Sequence, residues 1–134
     1  MKRFFAFLLI MAMLFTACGS KPAEKYPPQK MDFGDGNYSW HYFDDKGQRI
    51  KYESYEKDVL YSWTESFYDE NNSAIISVGY RADGTARWMN EYSEDADGNF
   101  VTQTSEYSEN EELLKITRRT STKNGFREEI LFEK

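Results

Sequence analysis

The chain has 134 residues, of which 17 are lysine or arginine and 23 are aspartate or glutamate, giving a formal net charge of −6. This acidic balance excludes a basic footprint for nucleic acid and electrostatic attraction to anionic lipid headgroups. The single cysteine excludes an internal disulfide, and the length suits one modest domain.

Residues 1–17 have the layout of an export signal. Lys2 and Arg3 form a short basic head, and an uninterrupted apolar run extends from Phe4 to Phe15. Crossing a bilayer as a helix needs about 20 apolar residues, whereas a shorter run behind a basic head is typical of a signal peptide. We therefore expect residues 1–17 to be removed, which leaves 15 basic against 23 acidic side chains and a net charge of −8.

The only cysteine, Cys18, lies directly after this run and follows the small residues Thr16 and Ala17. The segment resembles a bacterial lipoprotein signal, in which the cysteine is lipidated and becomes the first residue of the mature protein. Phe15 departs from the leucine-like residue usual in that family, and the alternative is a plain secretory signal. The resemblance implies a protein of the bacterial cell envelope that faces outside the cytoplasm. Several acyl chains on one cysteine suffice for stable anchoring in a membrane.

A linker is predicted over residues 18–30. All three prolines lie there, at Pro22, Pro27 and Pro28, and prolines favour a partly extended spacer. The chain from Gln29 to Lys134 contains no proline, which permits uninterrupted strand pairing. We predict a single domain over residues 31–134.

The domain repeats, with a tyrosine every 12 to 15 residues at Tyr42, Tyr55, Tyr68, Tyr80, Tyr92 and Tyr107. The Asp-Gly and Asn-Gly pairs at residues 83–84, 97–98 and 124–125 predict hairpins, because such turns need a positive φ. Apolar residues alternate between the turns, and a period of two favours strands. We predict eight strands, near residues 37–43, 48–56, 59–68, 74–80, 85–92, 99–107, 113–120 and 125–132.

Eight strands joined by short turns make an all-β antiparallel meander. The segment around Leu113, Leu114 and Ile116 does not alternate cleanly, but Thr117 and Thr120 favour a strand over a helix. A meander remains an open twisted sheet or closes loosely into an up-and-down barrel. After residue 17 there are 14 Ile, Leu, Val and Met residues against 19 aromatic residues, which favours the open form.

The tyrosine-plus-acidic-turn pattern resembles the YD-type and MORN-variant repeats of bacterial surface and exported proteins. The resemblance covers roughly residues 38–132. It is carried by Tyr42-Phe43-Asp44, Tyr68-Asp69-Glu70-Asn71 and Tyr80-Arg81-Ala82-Asp83-Gly84. It implies extracytoplasmic display or binding without a shared active site.

Five side chains form a candidate binding surface. We expect Trp40, Trp63 and Trp88 to belong to an aromatic packing face, and the alternative is an exposed platform on which glycans or peptides stack. Lys115 and Arg119 are expected to share one strand face. They form either a patch that binds a partner or a compensating charge for neighbouring acidic strands.

The sequence contains no convincing pattern for a catalytic site or a metal site. The only histidine, His41, is a candidate ligand or general base, although a lone histidine in a strand usually packs or faces solvent. Residues 95–99 alternate carboxylates before a glycine as a calcium loop does, but the glycine is fourth rather than sixth, which favours a hairpin turn. Adjacent acids could serve as the two carboxylates of a glycosidase, but such pairs are common among 23 acids. No nucleophile elbow is present, and we predict no catalytic residue, metal or cofactor.

The sequence thus predicts a membrane-anchored lipoprotein that binds or displays through an aromatic-rich β-sheet and is not an enzyme. The expected partners are the membrane, through the lipid anchor, and an unidentified protein or glycan. One alternative is a lipocalin-like barrel carrying a small apolar ligand. Another is an inhibitor or immunity-type lipoprotein that blocks an incoming enzyme.

Overall fold

In a computed structural model, which describes residues 25–134, the chain forms one antiparallel sheet whose strands follow one another in chain order. This confirms the predicted all-β meander. No helix in the described part is long and apolar enough to cross a membrane. The nine strands are β1 (Gln29–Gly34), β2 (Asn37–Phe43), β3 (Arg49–Glu56), β4 (Val59–Tyr68), β5 (Ala74–Arg81), β6 (Ala86–Glu94), β7 (Phe100–Tyr107), β8 (Leu113–Thr122) and β9 (Gly125–Glu133).

The first strand, β1, was not predicted. The other eight match the predicted strands to within two residues at each end, including β8, where a helix was the alternative. β1 pairs with β2 from Gln29, opposite His41, to Gly34, opposite Asn37. Gln29 and Lys30 therefore belong to the sheet, although the sequence placed them in the linker. Six exposed residues next to prolines give a weak strand signal.

The sheet is open. Within residues 25–134, β1 pairs only with β2 and β9 only with β8. The alternative of a closed barrel is therefore wrong, and so is the lipocalin-like function that depended on it. The physical reason lies in the scarce aliphatic residues, because among the described hydrophobic side chains only Val78 is buried. Such a chain cannot fill a barrel interior with side chains.

Five of the hairpins share one turn geometry. The N–H of the first turn residue donates to the carbonyl of the fifth, and the N–H of the fourth donates to the carbonyl of the first. This is a type I turn followed by a bulge residue with positive φ. Three of these bulge residues are glycines, of which the Asp-Gly pairs predicted those at 84 and 98, and an asparagine and a glutamate take the other two positions. The five bulge residues are Gly47, Asn72, Gly84, Gly98 and Glu111.

One end of the sheet is tied together by Arg81, the first residue of the β5–β6 turn. Its Nη2 donates to the carbonyl of Tyr107 at 2.7 Å, and its Nη1 donates to the carbonyl of Ala86 at 2.7 Å and of Ser108 at 3.2 Å. The guanidinium thereby links two turns that are adjacent at this end of the sheet. The Ser108 carbonyl also accepts from the Glu111 N–H within its own turn, so the guanidinium is a second donor to it.

Bulges change which side chains share a face. Phe126, Ile130 and Phe132 have the spacing of one strand face, but the register shifts between residues 116 and 117 of β8. Phe132 pairs with Ile116, whereas Phe126 pairs with Ser121. The two phenylalanines therefore lie on opposite faces, because the extra residue in β9 reverses the alternation.

Candidate functional site

The register divides the side chains between two chemically different faces, because residues paired across antiparallel strands point to the same side. We call them the hydroxyl face and the aromatic face. The hydroxyl face includes Ser39, His41, Tyr52, Thr64, Ser66, Ser77, Gly79, Trp88, Asn90, Tyr92, Thr102, Thr104, Glu106, Lys115, Thr117 and Arg119. The aromatic face comprises Tyr38, Trp40, Tyr42, Glu53, Tyr55, Trp63, Glu65, Phe67, Ile76, Val78, Tyr80 and Met89.

Stacked rings cover the aromatic face. Tyr38 and Tyr55 stack with centroids 4.6 Å apart, and Trp63 and Tyr80 stack at 5.1 Å. Each pair joins neighbouring strands, and such pairs contribute about 0.5–1.5 kcal/mol beyond the area they bury. Four of the seven rings on this face are therefore stacked in pairs that stabilise the sheet.

Glu53 connects the polar ends of these rings. Its carboxylate accepts hydrogen bonds from the Tyr42 hydroxyl (2.9 Å) and the Tyr55 hydroxyl (3.1 Å), and it pairs with Lys51 Nζ at 2.7 Å. Burial raises the pKa of Glu53, but the hydrogen bonds from Lys51 and Tyr42 outweigh it and hold that pKa below its usual range. Burial and Glu53 raise the pKa of Tyr42 to about 12. Glu53 is thus ionised and Tyr42 protonated at neutral pH.

A trough of about 270 Å³ lies on the hydroxyl face. β4 and β5 form its floor, and β3 and β6 form its two banks. Of the described residues, no carboxylate lines it. We call it the hydroxyl trough, and its lining residues are Arg49, Lys51, Tyr52, Thr64, Ser66, Ser77, Trp88 and Tyr92.

Gly79 gives one bank of this trough its shape. It lies directly opposite Trp88, and the indole folds back over it, so that a Cβ on Gly79 would lie 2.2 Å from Trp88 Cε2. Only glycine allows this approach. In the next row of the floor, Ser66 Oγ and Ser77 Oγ are 3.0 Å apart and share a hydrogen bond.

The single histidine lies beside the trough. His41 Nε2 is 3.0 Å from Ser39 Oγ, and His41 Nδ1 is 3.4 Å from Arg49 Nη1. Burial and the charge of Arg49 lower the pKa of His41, so the ring is neutral at neutral pH. Because arginine only donates, Nδ1 accepts and the ring proton resides on Nε2. This tautomer donates to Ser39 and cannot take its proton, so the pair is not arranged as nucleophile and general base.

A second groove, of about 590 Å³, lies towards the C-terminal strands on the opposite face. Its walls carry both acidic and basic side chains, including Glu91, Arg118, Arg127 and Glu129. Arg118 Nη1 lies 3.7 Å from Glu129 Oε1. With Glu94 and Asp95 the groove is lined by four acidic side chains against two arginines, so it is acidic overall.

The three tryptophans do not form one surface. Trp40 and Trp63 lie on the aromatic face, as expected, whereas Trp88 lies on the hydroxyl face. The expectation of one packing face does not hold for Trp88 because the register shifts between residues 79 and 80. This shift places Trp88 opposite Gly79 and Ala86 opposite Tyr80.

The basic side chains of β8 are brought together as predicted. Lys115 pairs with Glu106 and Arg119 with Thr102, which places both on the hydroxyl face. Lys115 Nζ lies 3.4 Å from Glu133 Oε1, and the guanidinium of Arg119 lies 4.0 Å from the centre of the Phe126 ring. Both cations thus contact β9, but only the Lys115 contact is with an opposite charge, as the charge-compensation alternative expects.

Residues 95–99 form the predicted hairpin turn. Asp95 Oδ1 accepts hydrogen bonds from the backbone N–H groups of Asp97 and Asn99. Hydrogen bonds from the Asn99 side chain and backbone lower the pKa of Asp95. Its carboxylate serves the turn, and no group of three or more His, Cys, Asp or Glu suited to a metal ion occurs in residues 25–134.

The trough was missed at the sequence level. Its floor has a readable signal, since Thr64 and Ser66 on β4 and Ser77 and Gly79 on β5 are small residues at alternate positions. Their meeting depends on the register of β4 against β5, which pairs residue 64 with 79 and 66 with 77. Alternation within a strand is visible in a sequence, whereas register between strands is not.

Comparisons with protein-family models, curated proteins and solved structures found no match. The resemblances to bacterial lipoproteins and to tyrosine-rich repeats therefore stay predictions from the sequence. Cys18 and the predicted signal lie outside the described residues.

Proposed function

We propose that this chain is a lipoprotein of the bacterial cell envelope, anchored to a membrane through Cys18, whose extracytoplasmic sheet binds or displays. The observation that carries the proposal is the single layer of the sheet. Val78 is the one buried hydrophobic side chain among the described residues, and thirteen large hydrophobic side chains are exposed. Exposed apolar groups that lie together on a surface typically mark interaction sites.

The C-terminal edge supports a protein partner as a second candidate. Phe126, Ile130, Leu131 and Phe132 of β9 are all exposed. An edge strand also offers unpaired backbone groups to which an extended segment of another protein can add as a strand. This surface suits the inhibitor or immunity-type alternative, in which the lipoprotein blocks an incoming enzyme.

The anchor is tested by palmitate labelling. Cells expressing the wild-type chain should incorporate labelled palmitate into it, and the protein should sediment with membranes. Cys18→Ala should remove the label and release the protein, because the cysteine is the only thiol in the chain. Ser20→Ala is the matched control and should behave as wild type. Equal labelling of wild type and Cys18→Ala would contradict the proposal.

A further inference from the structure

The hydroxyl trough has the dimensions of a site for one small ring. Neighbouring strands are about 4.8 Å apart, so the banks on β3 and β6 enclose a floor two strands wide. The floor carries only short side chains, including Thr64 and Ser77, and the Trp88 indole narrows it by folding over Gly79. Pockets for drug-sized ligands measure about 300–1,000 Å³, and this trough of about 270 Å³ lies just below that range.

Its lining combines two kinds of surface. Tyr52 on one bank and Trp88 on the other present rings, against which the C–H groups of a ligand can pack. Between them Thr64 and Ser66 present hydroxyl groups, each of which can donate and accept hydrogen bonds, and Ser66 is held in place by its hydrogen bond with the buried Ser77. A pyranose ring has the matching pair of surfaces, with C–H groups on its faces and hydroxyl groups around its rim.

The charge of the trough points to an anion. The chain carries a net charge of −6, yet no carboxylate of the described residues lines the trough. Lys51 is engaged with Glu53 at 2.7 Å. Arg49 is exposed and makes no ion pair within residues 25–134; its guanidinium lies 5.4 Å from the centre of the Tyr52 ring, and its Nη1 lies 3.4 Å from His41 Nδ1. A guanidinium in this state can bind a carboxylate through two parallel hydrogen bonds.

We propose that the hydroxyl trough binds a single sugar ring that bears a carboxylate, with Tyr52 and Trp88 against the ring and Arg49 on the carboxylate. This inference rests on the proposed binding function and gives it a ligand class and a site. It does not depend on lipidation. The aromatic face, with Trp40 and Trp63, takes no part in it.

The test follows the three indole N–H signals of the full chain, purified in detergent, by ¹H–¹⁵N NMR. Methyl β-D-glucuronide and methyl β-D-glucoside are matched probes that differ only in the carboxylate. The glucuronide should shift the signal of Trp88 and leave those of Trp40 and Trp63 in place. The glucoside should bind about tenfold more weakly, since a charge-assisted hydrogen bond to Arg49 is lost.

Variants separate the parts of the site. Binding to the variants is followed by the backbone amide signals in the same spectra, because Trp88→Ala lacks the reporting indole. Trp88→Ala should abolish binding, Arg49→Gln should equalise the affinities for the two glycosides, and Trp40→Ala on the opposite face should leave binding unchanged. Tyr52→Ser repeats the test from the other bank if Trp88→Ala disturbs the fold, which the same spectra report. Equal affinity of the wild type for both probes would overturn the proposal, as would equal losses in Trp88→Ala and Trp40→Ala.

The two proposals fail separately. If the glucuronide does not shift the Trp88 signal while Cys18 still carries palmitate, the sugar site is wrong and the lipoprotein assignment stands. If the signal shifts but Cys18 carries no lipid, the site stands and the anchor is wrong.

Discussion

The two faces of the nine-stranded sheet differ in what their side chains contact. On the aromatic face, rings stack across strands and Glu53 joins their hydroxyl groups, so the side chains are occupied with one another. On the hydroxyl face, serine, threonine and glycine leave a trough between half-buried rings, and Arg49 beside it is exposed. In a sheet with no second layer, one face can thus provide the cross-strand contacts that stabilise the fold, while the other face is open to a ligand.

Burial sharpens this contrast. On the hydroxyl face, Ser39 and Ser77 are 1% and 7% exposed, and each has a hydrogen-bond partner. Because both are small polar residues, burying them removes little apolar area from water. The hydroxyl face therefore contributes shape and polarity, while the aromatic face contributes most of the apolar packing.

The largest effect is expected from Trp63→Ala on the aromatic face. Losing the stack on Tyr80 should lower the free energy of unfolding by about 2–3 kcal/mol, measured by urea denaturation. Trp88→Ala is the matched variant on the hydroxyl face and should cost less than half as much. A larger loss in Trp88→Ala than in Trp63→Ala would reverse the assignment of the two faces.

Gly79→Ala tests whether the trough is shaped by the missing side chain. The new Cβ collides with the Trp88 indole, so the ring must lift away, at a cost of about 1–2 kcal/mol in urea denaturation. In a Trp88→Ala background the same change should cost close to nothing, because the collision partner is gone. If Gly79→Ala lowered the free energy of unfolding equally in both backgrounds, the glycine would be needed for its backbone conformation and not to make room for the indole.

The aromatic face should also be the face that responds to pH. The pKa of Glu53 is lowered from 4.5, so its contribution to stability is present above that value and lost as the pH falls through the lower folded pKa. The pKa of Tyr42 is raised from 10.0 to about 12, so its contribution is present below pH 10.0 and lost as the pH rises towards 12.

Glu53→Gln provides the measurement for this pH dependence. The urea midpoint of the variant should fall less in acid than that of the wild type. In alkali part of the loss should remain, because burial and Glu65 also raise the pKa of Tyr80 to about 12. If the urea midpoint of Glu53→Gln fell as steeply in acid as that of the wild type, Glu53 would not be the group that causes the acid dependence.

The smallest effect belongs to the turns, which serve both faces equally. Glu111 adopts a φ of 58° at the bulge position where three of the equivalent turns have glycine. Glu111→Gly should relieve that strain and raise the thermal midpoint, with a gain of about 1 kcal/mol. Gly98→Ala, at the equivalent position of the preceding turn, should lower stability by a similar amount. Destabilisation by Glu111→Gly would mean that the glutamate side chain contributes more than its backbone costs.

The strands and the open sheet were predictable because alternating side chains and Asp-Gly pairs are local signals. The face of Trp88 was not predictable, since it depends on a bulge in β6. Gly79 and Tyr80 are consecutive, but their partners Trp88 and Ala86 are separated by one extra residue. Likewise Asn72 and Glu111 adopt a positive φ in turns that lack the glycine by which hairpins were predicted. β1 was not predicted because all six of its residues are exposed, so no buried side imposes an alternation of apolar and polar residues on its sequence.

Strand pairing in this chain has a consequence for its mechanics and its evolution. Each strand pairs only with the strands before and after it in the described sheet, so cooperativity runs along a line, as in a stack of structural repeats. Opening should begin at either edge and travel inward strand by strand. A two-strand unit can be gained or lost without rethreading the remainder, so the width of the sheet becomes a quantity that duplication can adjust.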